Sequence, residues 1–255
     1  MVLFVYDKSF EGLLTAVFDA YFRRTFPDRL LAVGEPFPLF YDEAFTVCTD
    51  TGKANRVWNG LQKKISPYAL SYITTAWLSE LPAIDELLFR YIRKALDAPR
   101  SVELNFGDPD ILEVSQICKK VSYERHRAIQ FARFQKAADG TFFSAFEPLY
   151  NVLPLAIGHF KDRFAFQPWL VYDIKREYGY FFDGKEVAEV TFESKEAHLL
   201  TGWLADNLVA PDEKFFQQLW TAYFRSAAIR ERTNPKLHRQ NLPVRFWKYL
   251  TEKRR

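Results

Sequence analysis

The chain has 255 residues, 48% apolar and 17% aromatic, with 25 Phe, 13 Tyr and 6 Trp against one Met, enough rigid apolar surface for one large domain or two closely packed ones. The formal net charge is only +3, but Arg225–Arg255 holds ten Lys/Arg against two acids, a local balance of +8 over a body of −5, and such asymmetry points to a polyanionic partner or a solvated basic helix. Cys48 and Cys118 lie seventy positions apart with no Cys or His at ligand spacing beside either, which excludes a disulfide framework and a zinc knuckle and fits a reducing compartment.

The opening run, Val2–Tyr6, is too short for a signal-peptide core or a membrane span, so it reads as a strand of a cytoplasmic protein with no membrane partner. Phe10, Leu13, Leu14, Val17, Phe18 and Tyr21 then recur at helical spacing. Pro27, Gly34, Pro36 and Pro38 break that pattern before a short strand over Phe45–Thr49. A helix follows with Ala54, Val57, Trp58, Leu61 and Ile65 on one face and Lys53, Arg56, Lys63 and Lys64 on the other. Two more amphipathic helices run through Ala69–Trp77 and Ile84–Ala95.

The aperiodic stretch Asp97–Pro109, with Pro99 and Gly107, marks an internal boundary between a strand-helix region, 1–106, and an α+β core with a basic helix and arm, 107–255. The next helix buries Val114, Ile117, Cys118 and Val121 and turns Lys119, Lys120, Tyr123 and Arg127 outward. Phe131–Lys136 and Thr141–Phe146 form a hairpin across Asp139-Gly140, and Tyr178–Phe182 and Glu186–Phe192 form a second around Asp183-Gly184. Between them lie a helix from Asn151 to Phe164 and a strand from Trp169 to Lys175. Because most connections are hairpins, the expected fold is α+β, helix-rich, with a central antiparallel sheet of about five strands and helices packed on it. Phe216, Leu219, Trp220, Tyr223, Phe224 and Ala227 make one helical stripe, Asn234-Pro235 stops that helix, and residues 234–252 wrap over the body on Phe246, Trp247 and Tyr249.

No phosphate-binding glycine loop, GxGxxG, HExxH, GxSxG elbow or clustered cysteine motif occurs, so nucleotide hydrolysis, dinucleotide chemistry and an iron–sulfur centre within this chain are excluded, and no cofactor or metal is expected. Asp173 interrupts an apolar strand and needs a partner. One reading pairs it with Arg163 to fix helix to sheet; the other places Glu147, His159 and Asp173 in a polar pocket for acid-base work, with Arg163, Lys175 and Arg176 gripping a base or phosphate. A third set, Arg239, Arg245, Lys248 and Lys253-Arg254-Arg255 with Phe246 and Trp247 interleaved, joins the two basic helix faces as a candidate nucleic-acid surface. His198, beside Glu196, and His238, in a basic loop, read as surface histidines.

YDKSFEGLLTAVFDAY (6–21), KANRVWNGLQKK (53–64), ERHRAIQFARF (124–134), Glu147-Pro148, NVLPLAIGHFKDRF (151–164), PWLVYDIKR (168–176), LWTAYF (219–224) and NPKLHRQNLPVRFWKYLTE (234–252) together resemble a bacterial family of the DUF4130 type, of unknown function and linked to DNA metabolism and repair. The resemblance implies DNA as a ligand class and a DNA-modifying radical SAM enzyme as partner; some members carry a uracil-DNA-glycosylase-like domain. It supplies no catalytic residues. Three functions stand open: an accessory protein that binds single-stranded or damaged DNA and presents it to the partner, a nuclease- or glycosylase-like enzyme using the carboxylate/His pocket, and a protein-interaction module.

Overall fold

A computed structural model describes residues 1–193 and 196–254, with Arg230 through its backbone alone. The chain divides into two compact units, Met1–Val121 and Ser122–Arg255.

The first unit begins with β1 (Val2–Tyr6), α1 (Phe10–Arg23), β2 (Arg29–Ala32) and β3 (Glu43–Thr46). The three strands form a parallel sheet in the order β2-β1-β3. Flanked on both edges, β1 must be apolar throughout, and Leu3, Phe4 and Tyr6 are wholly buried. This sheet was not expected: β1 reads clearly as a strand, but Arg-Leu-Leu-Ala in β2 is too short for periodicity to register between Pro27 and Gly34. Ser9 caps α1 by accepting from the Gly12 amide at 2.9 Å. The helices α2 (Thr51–Lys64), α3 (Pro67–Trp77) and α4 (Ile84–Asp97) follow the expected boundaries closely, with Asp50 and Ser66 as side-chain caps of α2 and α3. The stretch 97–109 folds back within this unit through Lys94, whose ammonium meets Asp108 and Asp110 at 2.6 Å. Cys118 is buried and donates to the Tyr72 carbonyl at 3.2 Å, while Cys48 is exposed.

The helix α5 (Pro109–Phe131) carries the chain from one unit into the next. The second unit then builds β4 (Gln135–Lys136), β5 (Phe142–Phe146), α6 (Leu153–Arg163), β6 (Trp169–Asp173), β7 (Tyr178–Phe182) and β8 (Val187–Val190), ordered β4-β5-β6-β7-β8 in one sheet. The expected antiparallel arrangement is corrected here. β4–β5, β6–β7 and β7–β8 are antiparallel hairpin pairs, but β5 and β6 run parallel, from Phe142 opposite Trp169 to Phe146 opposite Asp173. The cause is α6, which returns the chain to the starting edge so that β6 sets out in the direction of β5. Trp169 is fully buried, stacked 5.4 Å from its register partner Phe182 and 6.2 Å from Phe160 of α6.

Beyond the sheet come α7 (Ala197–Thr201), α8 (Glu213–Ala227) and α9 (Pro235–Asn241), then 3-10 turns over Val244–Tyr249 and Thr251–Lys253. Asn234-Pro235 does not stop α8, which ends at Ala227; the Asn234 side chain caps α9 through the Leu237 amide at 3.0 Å, with Pro235 at the first helical position. Phe246 and Tyr249 anchor the last segment, both buried, while Trp247 is only half-buried. Among the described residues no helix is long and apolar enough to cross a membrane.

Candidate nucleic-acid interface

At the carboxyl end of the parallel pair, β5 runs into Glu147-Pro148-Leu149 and β6 ends on Asp173. Asp173 is fully buried, and its partner is Arg176 rather than Arg163: the Arg176 guanidinium donates to Oδ2 at 2.8 Å, and the Lys175 and Arg176 amides donate to Oδ1 at 3.0 and 3.1 Å. Arg176 also reaches the carbonyls of Pro148 and Leu149 at 3.3 Å. This is the sheet-to-loop tie that the sequence demanded, made three residues away in the turn that closes β6. Arg163 instead is exposed, 5.7 Å from the Phe164 ring.

The proposed acid-base trio is not assembled by hydrogen bonds. His159 is exposed on α6 beside the Phe160 ring, and among the described residues no hydrogen bond joins it to either carboxylate. Glu147 is half-buried and ion-paired with Lys248 at 2.6 Å. That hydrogen bond holds its carboxyl below the ordinary value, whereas burial pushes Asp173 up against the pull of Arg176. The signs are therefore opposite. Glu147 adds stability above its unfolded pKa that is lost as pH falls through the lowered folded value; Asp173 favours its protonated form in the fold, a contribution present below 3.8 and lost as pH rises through its raised value.

A prediction follows for the tie. Asp173→Asn keeps Oδ1 for the two amides but sets an amide N–H against the Arg176 guanidinium, so urea unfolding at neutral pH should show a loss of about 1–2 kcal/mol. Asp173→Ala strands both amides and Arg176, and should cost roughly 2–4 kcal/mol. An Asn variant as damaged as the Ala variant would mean that the ionised carboxylate itself holds the turn.

The C-terminal segment is clamped by further pairs. Glu124 of α5 is buried; its Oε1 accepts from the Leu149 amide at 2.8 Å, and its Oε2 accepts from Arg245, with Arg127 at 3.8 Å. Glu252 accepts from Arg133 and from the Trp220 indole, both at 2.8 Å. Arg245 and Lys248, read in the sequence as phosphate contacts, thus already hold carboxylates. Lys175 is exposed, reaches the Leu149 carbonyl at 3.5 Å and adds to the positive field at Glu147. Glu124 was missed in the sequence although it continues the buried stripe of Val114, Ile117, Val121 and Ala128, where a carboxylate demands a partner.

Other cations of this segment form no salt bridge among the described residues: Arg225, Arg232, Lys236, Arg239, Lys253 and Arg254, the last near enough to Asp206 to help lower its carboxyl. Lys253 lies 5.2 Å from the rings of both Phe224 and Trp247, and Arg254 lies 4.4 Å over Trp203. Arg255 lies outside the described residues. Beside them, the stripe of α8 stays exposed instead of entering a core: Phe216 by 56%, Leu219 by 48%, Trp220 by 39% and Tyr223 by 63%.

The remaining basic faces fare differently. On α2, Lys53 is paired with Asp19 at 2.7 Å, Lys64 bonds the Ala98 carbonyl at 3.1 Å, Arg56 sits 5.9 Å from the Phe18 ring, and Lys63 is exposed. On α5, Lys119, Lys120 and Tyr123 are exposed. The first unit also holds a crevice of about 670 Å³ lined by Tyr6, Lys8, Trp77 and Asp85, where Asp85 accepts from the Tyr6 hydroxyl at 2.8 Å and from Lys8 at 2.6 Å. Its wall sets Glu35, Glu80, Asp85 and Glu86 against Lys8 and Arg29, the wrong balance for a phosphate chain. Among the described residues no cluster of His, Cys, Asp and Glu could hold a metal ion.

Comparison with curated proteins and with solved structures brings no match. A family model, described as a domain of unknown function, DUF4130, matches residues 82–252, about two thirds of the chain, and the chain belongs to that family.

Proposed function

We propose that the chain binds DNA through its C-terminal segment and serves as an accessory protein, presenting the strand to a partner enzyme of the radical SAM class. The observation that carries the binding is the set of six cations between Arg225 and Arg254 that form no salt bridge among the described residues, in a segment where Arg245 and Lys248 are taken by Glu124 and Glu147. Charge left uncompensated on a surface attracts a phosphate backbone, because each contact releases a condensed counterion. The accessory role and the partner rest on the family resemblance, together with the absence of nucleotide, flavin or cluster-binding motifs. The enzyme reading gains no support from Asp173, whose oxygens are engaged in the β6 turn.

The test is fluorescence anisotropy of labelled oligonucleotides with the full chain. Lys236 and Arg239 stand three residues apart on α9, so they share a face. Reversing both, Lys236→Glu and Arg239→Glu, should weaken binding by roughly 25-fold near 0.1 M salt, about fivefold for each counterion no longer released. Lys185→Glu, in the exposed β7–β8 turn, should bind as wild type. Equal affinities for all three proteins, or no binding to any form of DNA, would refute the proposal.

A further inference from the structure

We propose that the exposed aromatic face of α8 is a stacking platform for the unpaired bases of single-stranded nucleic acid. This rests on the DNA-binding reading above and adds the form of the ligand and the residues that select it. Phe216, Leu219, Trp220 and Tyr223 recur at i, i+3, i+4 and i+7, which gathers them within about a quarter of the helix circumference. An amphipathic helix normally turns such a stripe to its core. Here the stripe faces outward, with Phe216 and Tyr223 more than half exposed and Trp220 less so, in a unit whose core is filled by Phe143, Phe146, Phe160, Trp169 and Phe182.

Two features choose the occupant. The stripe is aromatic rather than aliphatic, with Leu219 the one aliphatic member, and the Trp220 and Tyr223 rings lie side by side, 5.8 Å apart and tilted by 35°. Flat π-faces suit flat bases, and stacking tolerates any base sequence. The second feature is charge. Lys253 sits on Phe224, the next ring along α8, and the Glu252 carboxylate that accepts from Trp220 is buried and neutralised by Arg133 at 2.8 Å, so the rim is positive. A positive rim around rings complements a phosphate chain with its bases turned inward. A duplex keeps its π-faces stacked on one another and offers only its backbone, so the platform adds nothing to duplex binding.

Phe216→Ala and Tyr223→Ala remove rings that are exposed and serve no core contact, and thermal unfolding should leave their midpoints at the wild-type value. Anisotropy with a fluorescein-labelled oligothymidylate should show each variant weakened by roughly 5- to 150-fold, the loss expected for one stacked base, with affinity for a blunt duplex unchanged. Wild-type protein binding the duplex as tightly as the single strand, or variants binding the oligothymidylate as wild type does, overturns the platform while leaving DNA binding intact. A concentration-dependent dimer in light scattering that disappears in both variants, with their DNA affinity unaltered, overturns it in favour of self-association. Failure of every DNA form to bind overturns the platform and the reading beneath it together.

Discussion

Glu124→Ala lowers the stability of the second unit by about 3–5 kcal/mol, the loss expected when one member of a buried, hydrogen-bonded ion pair is deleted. The side chain is only 2% exposed, and two groups from distant parts of the sequence depend on it, the Leu149 amide and Arg245, with Arg127, one turn along α5, held more loosely. Arg245 is the most exposed to the loss, because its Nε is already buried without a partner. Deletion takes the acceptor from the part-buried Arg245 guanidinium and the Leu149 amide, and the loop after β5 and the turn over Val244–Tyr249 loosen together. Glu124→Gln keeps an acceptor for Leu149 and should cost less, roughly 1–2 kcal/mol. Urea unfolding of the two variants decides it. An Ala variant with the wild-type midpoint would show that the clamp adds nothing to stability, and Arg245 would return to the set of cations available to DNA.

A second large effect concerns salt. With about six phosphate contacts, single-strand affinity should fall with the fourth power of salt concentration, approximately 300-fold between about 50 and 200 mM. The Lys236→Glu, Arg239→Glu protein should show a shallower dependence, its exponent reduced by one to two. Aromatic variants behave otherwise: Tyr223→Ala lowers affinity at every salt concentration and leaves the exponent unchanged, because stacking releases no counterions. The two families of variants therefore separate charge from stacking in one set of titrations. A salt-independent affinity would mean that the exposed cations take no part.

Much of the fold was legible because local chemistry dictates it. The Asp139-Gly140 and Asp183-Gly184 turns announced the β4–β5 and β7–β8 hairpins, and both glycines adopt the positive φ that such turns require, 90° and 98°. Helices α1 to α4 declared themselves by apolar periodicity, and the structure adds Ser9, Asp50 and Ser66 as caps of the first three. What escaped was whatever depends on where the chain returns. The direction of β6 relative to β5 is decided by the course of α6, and β2 becomes a strand only because β1 lies beside it.

The site was legible in residue type and misread in pairing. The demand of Asp173 for a cation was evident, but the strand's end folds into a turn that brings Arg176 to it before Arg163 can compete. Arg245 and Lys248 carry the charge that a phosphate would seek, yet Glu124 and Glu147 reach them first, and carboxylates so distant in sequence leave no local mark. The α8 stripe shows the limit most plainly. Spacing reveals that a face is apolar, and only the packed chain reveals that little covers it.

Hydrogen exchange followed by mass spectrometry, with and without saturating oligothymidylate, locates the bound strand on the whole protein. Slowed exchange concentrated in residues 213–227 and 235–254 is the result expected here. Protection confined to residues 1–121, or spread evenly over the chain, would contradict a DNA interface built from α8, α9 and the basic C-terminal segment.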